Sequence, residues 1–171
     1  DPQGDWAACM IALDGYVVAQ GPNGRREIPV KSFVTGPFQN VLAHNEIAVE
    51  AVVPAPRGEA RGAYLKLERR VGDFATAAVA VALDMSGDVV LRAGIALTGV
   101  GGTTVNASEA AESLTGSTLD ADSIARAAEL AAAAAQPRSD HRGSASYKRH
   151  IVNTFTARAL SGIASSSERA A

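Results

Sequence analysis

The sequence predicts an α+β fold built on antiparallel sheets, and three observations carry that expectation. Short apolar runs separated by Gly, Pro and Asn fill most of the chain up to Thr98, the pattern of strands joined by tight turns. Two of those runs, TAAVAVALD (Thr76–Asp84) and VVLRAGIALT (Val89–Thr98), are joined by Met85–Asp88 and read as a hairpin. The remainder carries alanine-rich segments with apolar residues at helical spacing. At 171 residues and 47% hydrophobic content the chain can bury a core as one sizeable domain or two small ones.

Taken in order, Trp6–Leu13 is expected to form a short helix, with Asp5 as N-cap and Trp6, Met10 and Leu13 on one stripe. Asp14-Gly15 ends it. Tyr16–Gln20 reads as a strand, Gly21–Gly24 as a turn and Arg25–Val30 as the returning strand. Lys31–Phe38 is expected to be irregular, anchored by Phe33 and Phe38, and Glu46–Val53 resumes strand character until Pro54 breaks it. Pro54–Gly62 concentrates Pro, Gly and charge between apolar runs, and a domain division is placed there, 1–57 against 58–171.

AYLKLERR (Ala63–Arg70) alternates, with Tyr64, Lys66 and Glu68 on one face and Leu65 and Leu67 on the other. In the hairpin, Val79, Val81, Leu83, Ile95 and Leu97 make a bulky face, while Ala78, Ala80, Ala82, Gly94 and Ala96 make a small one. Small side chains let a helix approach closely, and the helix predicted from about Asp120 to Ala135, with Ile124, Ala128, Ala131 and Ala135 on one side, is expected on that face. NASEAAESL is expected to be a short helix capped by Asn106, and Gln136–Ser144 a polar loop. The last helix, about Ser146–Ile163, carries Val152, Phe155, Ala159 and Ile163 inward and Lys148, Arg149 and Arg158 outward; residues 165–171 are expected to fray.

Composition narrows the function. A net charge of −2 and 5% aromatic residues argue against a nucleic-acid surface. No apolar run approaches the roughly 18 residues of a membrane span, and the chain is expected to be cytoplasmic. The lone Cys9 has no partner for an internal disulfide. The opening DPQGDW reads as a loop entering a helix, so the numbering is expected to begin inside a longer protein.

His44, His141 and His150 show no metal-ligand spacing and read as surface side chains. GVGGTT (Gly99–Thr104) lacks the Lys-Ser/Thr ending of a phosphate loop and reads as a strand-exit turn. SDHR (Ser139–Arg142) reads as a solvated loop. The corner ERRVGDF (Glu68–Phe74), which crowds an arginine pair and an aspartate against an uncharged run, keeps two readings open: strand-end solvation with Asp73 pairing locally, or a ligand contact.

AYLKLERRVGDFATAAVAVALDMSG, AGIALTGVGGTT and SYKRHIVNTFTARAL resemble the C-terminal domain of the flavoprotein (medium) subunit of molybdenum hydroxylases, nearest to the aerobic carbon monoxide dehydrogenase and xanthine dehydrogenase types. DPQGDWAACMIALDG and REIPVKSFVTGPFQNVLAHNEIAVEAVVPAP are similar to the later half of that family's FAD-binding domain. The resemblance implies the end of an FAD-binding domain, antiparallel strands with a short helix, followed by a three-stranded antiparallel sheet packed with three helices. It implies an FAD-dependent electron-transfer subunit of an oxidoreductase. Its partners would be a large subunit holding the molybdenum cofactor and a small subunit holding iron–sulfur clusters.

Onto this sequence it carries Asp5 of the DPxxD stretch, Lys66 ahead of the arginine pair, Asp73 of the Gly-Asp pair, and Phe74 beside the isoalloxazine. Tyrosine is common at the last place, so Phe74 keeps the ring and loses the hydroxyl. The family's diphosphate-cradling segments lie upstream of DPxxD and are not among these 171 residues, so weak FAD binding is expected of them alone. A different expectation is an assembly module that docks a partner and binds no cofactor.

Overall fold

The computed structural model describes residues 3–168. Its first part is a helix followed by a small sheet: α1 (Asp5–Ala12), β1 (Tyr16–Gly21), β2 (Gly24–Pro29), a single turn α2 (Val30–Phe33), the short pair β3 (Val34–Gly36) and β4 (Gln39–Asn40), and β5 (Ile47–Val52). The sheet order is β2-β1-β5, antiparallel throughout. The second part is β6 (Glu59–Leu67), β7 (Ala77–Ser86), β8 (Val89–Thr98), β9 (Val105–Asn106), then α3 (Ser108–Leu114), α4 (Ala121–Ala134) and α5 (Ala145–Glu168). Its strands run β6-β7-β8-β9, so the expected three-stranded sheet is present and a two-residue strand extends its edge.

The hairpin register explains how β7 comes to be covered on both faces. Val79 lies opposite Leu97 and Val81 opposite Ile95, while Ala80 faces Ala96 and Ala82 faces Gly94. Side chains alternate, so one face is bulky and the other small. The bulky face packs with Leu114, Ile124, Ala127, Ala131, Val152, Leu160 and Ile163 from α3, α4 and α5. Each of its fully buried valines and leucines contributes about 1.5–3 kcal/mol of transfer free energy.

The small face is covered by α1 instead, through Ala7, Ala8, Met10, Ile11 and Ala12 against Ala80, Ala82 and Ala96. This corrects the expectation that the helix of Asp120–Ala135 lies there. α1 is itself alanine-rich and sits so close that a Cβ on Gly94 would fall on the Ala12 carbonyl. Both ends of α1 are tied to the sheet: Thr98 Oγ1 donates to the Gly4 carbonyl at 3.1 Å, and Arg92 Nη1 donates to the Ala12 carbonyl at 3.0 Å. Arg92 is held in turn by the buried Asp84, at 3.1 Å.

Several local expectations change. Asp5 is the first residue of α1 and caps nothing; Gly4 takes the N-cap place. Trp6 and Leu13 face outward rather than joining Met10 in a buried stripe. Phe38 is 89% exposed, with φ of +56°, and is no anchor, whereas Phe33 packs at the α1 core. β6 begins at Glu59, inside the segment read as a linker. Asn106 belongs to β9, and α3 starts after Ala107 without a side-chain cap. Lys148, read as solvated, is 3% exposed. The fraying segment lies partly in α5, which runs to Glu168, and its last three residues, 169–171, lie outside the described residues.

Candidate functional site

The corner between β6 and β7 is where the expected site residues meet. β6 ends at Leu67, and the chain turns through Arg70–Asp73, with Asp73 N donating to the Arg70 carbonyl at 3.0 Å and Gly72 at φ +83°. That left-handed conformation is one a glycine adopts without strain. Thr76 N then donates to the Leu67 carbonyl at 2.8 Å and returns the chain to the sheet.

Lys66 sits at the centre. Its Nζ donates to Asp5 Oδ2 at 2.9 Å and to the Asp73 carbonyl at 3.0 Å, and lies 2.9 Å from Glu68 Oε2. The first two are hydrogen bonds; the Glu68 oxygen is a close ion-pair contact, buried and without a hydrogen-bond donor of its own. Tyr64, two residues earlier on the same strand face, donates its hydroxyl to Asp5 Oδ1 at 2.7 Å. The α1 carboxylate therefore accepts from two β6 side chains at once, which joins the first part of the chain to the second.

The charge states follow from these contacts. Burial pushes the Asp5 carboxyl up, but the bonds from Lys66 and Tyr64 outweigh it and hold the group below its ordinary value. Lys66 is raised by its bonds to Asp5 and then Glu68, and keeps its proton. Burial, then the Asp5 acceptor, pushes the Tyr64 phenol far up, so it stays a donor. Burial and the Asp5 charge likewise raise the Cys9 thiol. Asp5 is thus held charged while Lys66 and Tyr64 keep their protons, so these three supply fixed charges and a fixed hydroxyl dipole.

Of the four residues carried by the resemblance, Asp5, Lys66 and Asp73 are brought into direct contact, and Phe74 follows Asp73 with its ring 50% exposed. Asp73 Oδ1 accepts from Phe74 N at 2.8 Å and from Arg142 Nη2 at 3.3 Å. Burial opposes ionisation of Asp73, yet the Phe74 amide and Arg142 together keep its carboxyl low. Arg69 Nε reaches Asp73 Oδ2 at 3.8 Å, a local contact one helical turn apart in sequence.

Three participants, Tyr64, Glu68 and Arg142, are not among the site residues expected from the sequence. Tyr64 had a signal, since it alternates onto the face of Lys66. Arg142 had none, because it lies 69 residues beyond Asp73 in a segment read as a solvated loop. The histidines, by contrast, are exposed as expected, and no group of metal-ligating side chains occurs among the described residues.

A flat aromatic cofactor with polar edges suits what is present. A mainly apolar groove of about 380 Å³, lined by Cys9, Gly62, Ala63, Tyr64 and Ala80 among others, runs beside the Asp5–Tyr64 pair. Trp6, next to Asp5, is 53% exposed, and Phe74 is similarly open. Aromatic and apolar surface near an anchored cation fits such a ring.

Comparison with known proteins bears on this geometry. Residues 1–56 match the FAD binding domain in molybdopterin dehydrogenase, and residues 62–163 match the CO dehydrogenase flavoprotein C-terminal domain. The carbon monoxide dehydrogenase medium chain of Hydrogenophaga pseudoflava is 38% identical over 93% of this chain and 55% of its own length. The medium chain of the same name from Afipia carboxidovorans is 36% identical over 94% of this chain and 56% of its own. A solved structure of carbon monoxide dehydrogenase from Hydrogenophaga pseudoflava, which lacks the Mo-pyranopterin moiety of the molybdenum cofactor, superposes with a TM-score of 0.90 at 38% identity, covering 98% of this chain and 58% of that one. The chain thus spans somewhat more than half the length of the relatives it matches.

Proposed function

The chain belongs to the flavoprotein (medium) subunit family of molybdenum hydroxylases, and we propose that it forms the ring-facing part of an FAD-dependent electron-transfer subunit of the carbon monoxide dehydrogenase type. FAD, when bound, accepts and releases electrons. The observation that carries the reading is the Lys66 anchor, which gathers Asp5 of α1, Glu68 just beyond β6 and the Asp73 carbonyl around one ammonium, with Phe74, the residue after Asp73, half exposed.

In this reading Lys66 acts by its field, because two of its protons are bonded to Asp5 and to the Asp73 carbonyl and Glu68 pairs with its charge. A fixed cation near an isoalloxazine favours added negative charge on that ring. Phe74 and Trp6 limit water at the ring face. Asp5, held by two donors, orients Lys66 and Tyr64 and lines the polar edge. The division of the chain at 57 and 58 belongs to the same reading, with an FAD-binding part before it and a C-terminal domain after it. So do the partners: a large subunit with the molybdenum cofactor, where substrate is chosen and oxidised, and a small subunit with iron–sulfur clusters. A cytoplasmic location accords with the reading, and no helix among the described residues is long and apolar enough to cross a membrane.

The test is made on the natural protein that carries this sequence. It is expected to purify yellow, with bound FAD, and Phe74→Ala is expected to weaken FAD binding about tenfold, on the order of 1.4 kcal/mol. Unchanged affinity in the variant contradicts the placement of Phe74. A docking module without cofactor is favoured by one observation, the exposed Ile47 and Val49 of β5 and Val53 beyond it. A colourless natural protein that still binds its partner subunits supports that alternative.

A further inference from the structure

We infer that Arg142 is a positioning residue for the flavin-facing ring of Phe74, acting from the far end of the chain through Asp73 and the Phe74 carbonyl. The inference rests on the reading of Phe74 given above.

Phe74 is half exposed, so packing does not hold it. Its backbone, which fixes the direction in which the Cα–Cβ bond leaves the chain, is gripped on both sides. The amide donates to Asp73 Oδ1 at 2.8 Å, and the carbonyl accepts from Arg142 Nη1. The second guanidinium nitrogen of Arg142 reaches the same Asp73 oxygen at 3.3 Å. One planar fork thus spans a carboxylate and a peptide carbonyl, a task for arginine rather than for a point-charge lysine. The Arg142 side chain is only 11% exposed, so the guanidinium is held in place by its surroundings.

Arg142 is itself held from behind. Its backbone amide donates to Asp140 Oδ1 at 2.9 Å, and the other Asp140 oxygen accepts from Lys148 Nζ of α5 at 2.7 Å. Lys148 is buried and donates also to the Arg138 carbonyl at 3.2 Å. Asp140 and Gly143 close the turn between them, each amide donating to the other's carbonyl at 3.1 Å. The charges alternate from α5 outward: Lys148, Asp140, Arg142, Asp73. The chain of contacts ends on the Phe74 carbonyl and on the carboxylate that holds the Phe74 amide, the two backbone groups of one exposed aromatic residue.

The test uses the natural FAD-loaded protein and compares Phe74→Ala, Arg142→Ala, Arg142→Lys and the double variant Phe74→Ala/Arg142→Ala. Three quantities are read: FAD dissociation constant, visible-region circular dichroism of the bound flavin, and hydrogen exchange of residues 70–76. Arg142→Ala is expected to loosen exchange in that segment, raise the dissociation constant about five- to tenfold, and change the flavin dichroism as Phe74→Ala does. Arg142→Lys should recover part of each effect, and the double variant should be no worse than Phe74→Ala alone. Asp120→Ala, which removes the α4 cap far from the corner, lowers the melting temperature without moving the dichroism and controls for general destabilisation. If Phe74→Ala alters the flavin and Arg142→Ala does not, the role of Arg142 is overturned. If Phe74→Ala itself leaves the flavin unchanged, the underlying reading falls and this inference falls with it.

Discussion

At the scale of single residues, Lys66 decides most of what the corner can do. Replacing it with Met leaves the Asp5 and Glu68 carboxylates without their cation and the Asp73 carbonyl without a donor. The expected loss in stability is about 1 kcal/mol, since Asp5 remains half open to solvent and screening limits the pair. The pH dependence is specific. The Asp5 carboxyl is depressed in the folded protein, so its stabilising bonds are complete above its unfolded value of about 4 and are lost as pH falls through the lower folded value. Lys66 is raised, so its share is complete below about pH 10 and is lost as pH rises through the folded value. Melting temperatures of wild type and Lys66→Met should therefore differ by a constant amount between those limits and converge outside them. A gap that persists unchanged at pH 2 contradicts the assignment. Lys66 is singled out by the resemblance of AYLKLERRVGDF to the family and not by spacing, although its neighbours Tyr64, Glu68 and Asp73 all lie within seven positions of it. Asp5 was read as a helix cap, the commonest use of an aspartate before an apolar run, and the structure gives it instead to Tyr64 and Lys66.

At the scale of elements, α1 is the piece that brings Asp5 to the corner, and its height above the sheet is set by Gly94. A methyl there would meet the Ala12 carbonyl at 1.9 Å, a backbone atom that cannot rotate away. Gly94→Ala is expected to cost about 1–3 kcal/mol by forcing α1 off the small face. It should also weaken FAD binding through displacement of Asp5, a coupling that melts and titration of the same variant check together. Loss of stability with unchanged binding would uncouple α1 from the site. The alternation in TAAVAVALD and VVLRAGIALT revealed that one face of the hairpin is small and awaits a closely packed helix. It could not say which helix, because α1 and α4 are both rich in alanine and offer similar surfaces. What decides between them is tertiary: the ties of Arg92 and Thr98 to the two ends of α1, formed between residues 80 or more positions apart.

At the scale of the whole molecule, the corner is assembled from three separated stretches: α1, the β6–β7 turn, and the loop before α5. The first two are joined by the Asp5–Lys66 contact and the last two by Arg142. The local half of that assembly could be read along the strand; the contribution of Arg142 depends on chain folding that no spacing encodes. The proposal under test is that these residues face the ring of FAD and do not by themselves hold its diphosphate. Titrating FAD into these 171 residues alone and into the natural protein in parallel, with flavin fluorescence as the readout, tests that claim most directly. Stoichiometric binding by the natural protein is expected, with binding at least about a hundredfold weaker, roughly 2.7 kcal/mol, by the 171 residues; tight stoichiometric binding by these residues alone, or no binding by the natural protein, would overturn the proposal.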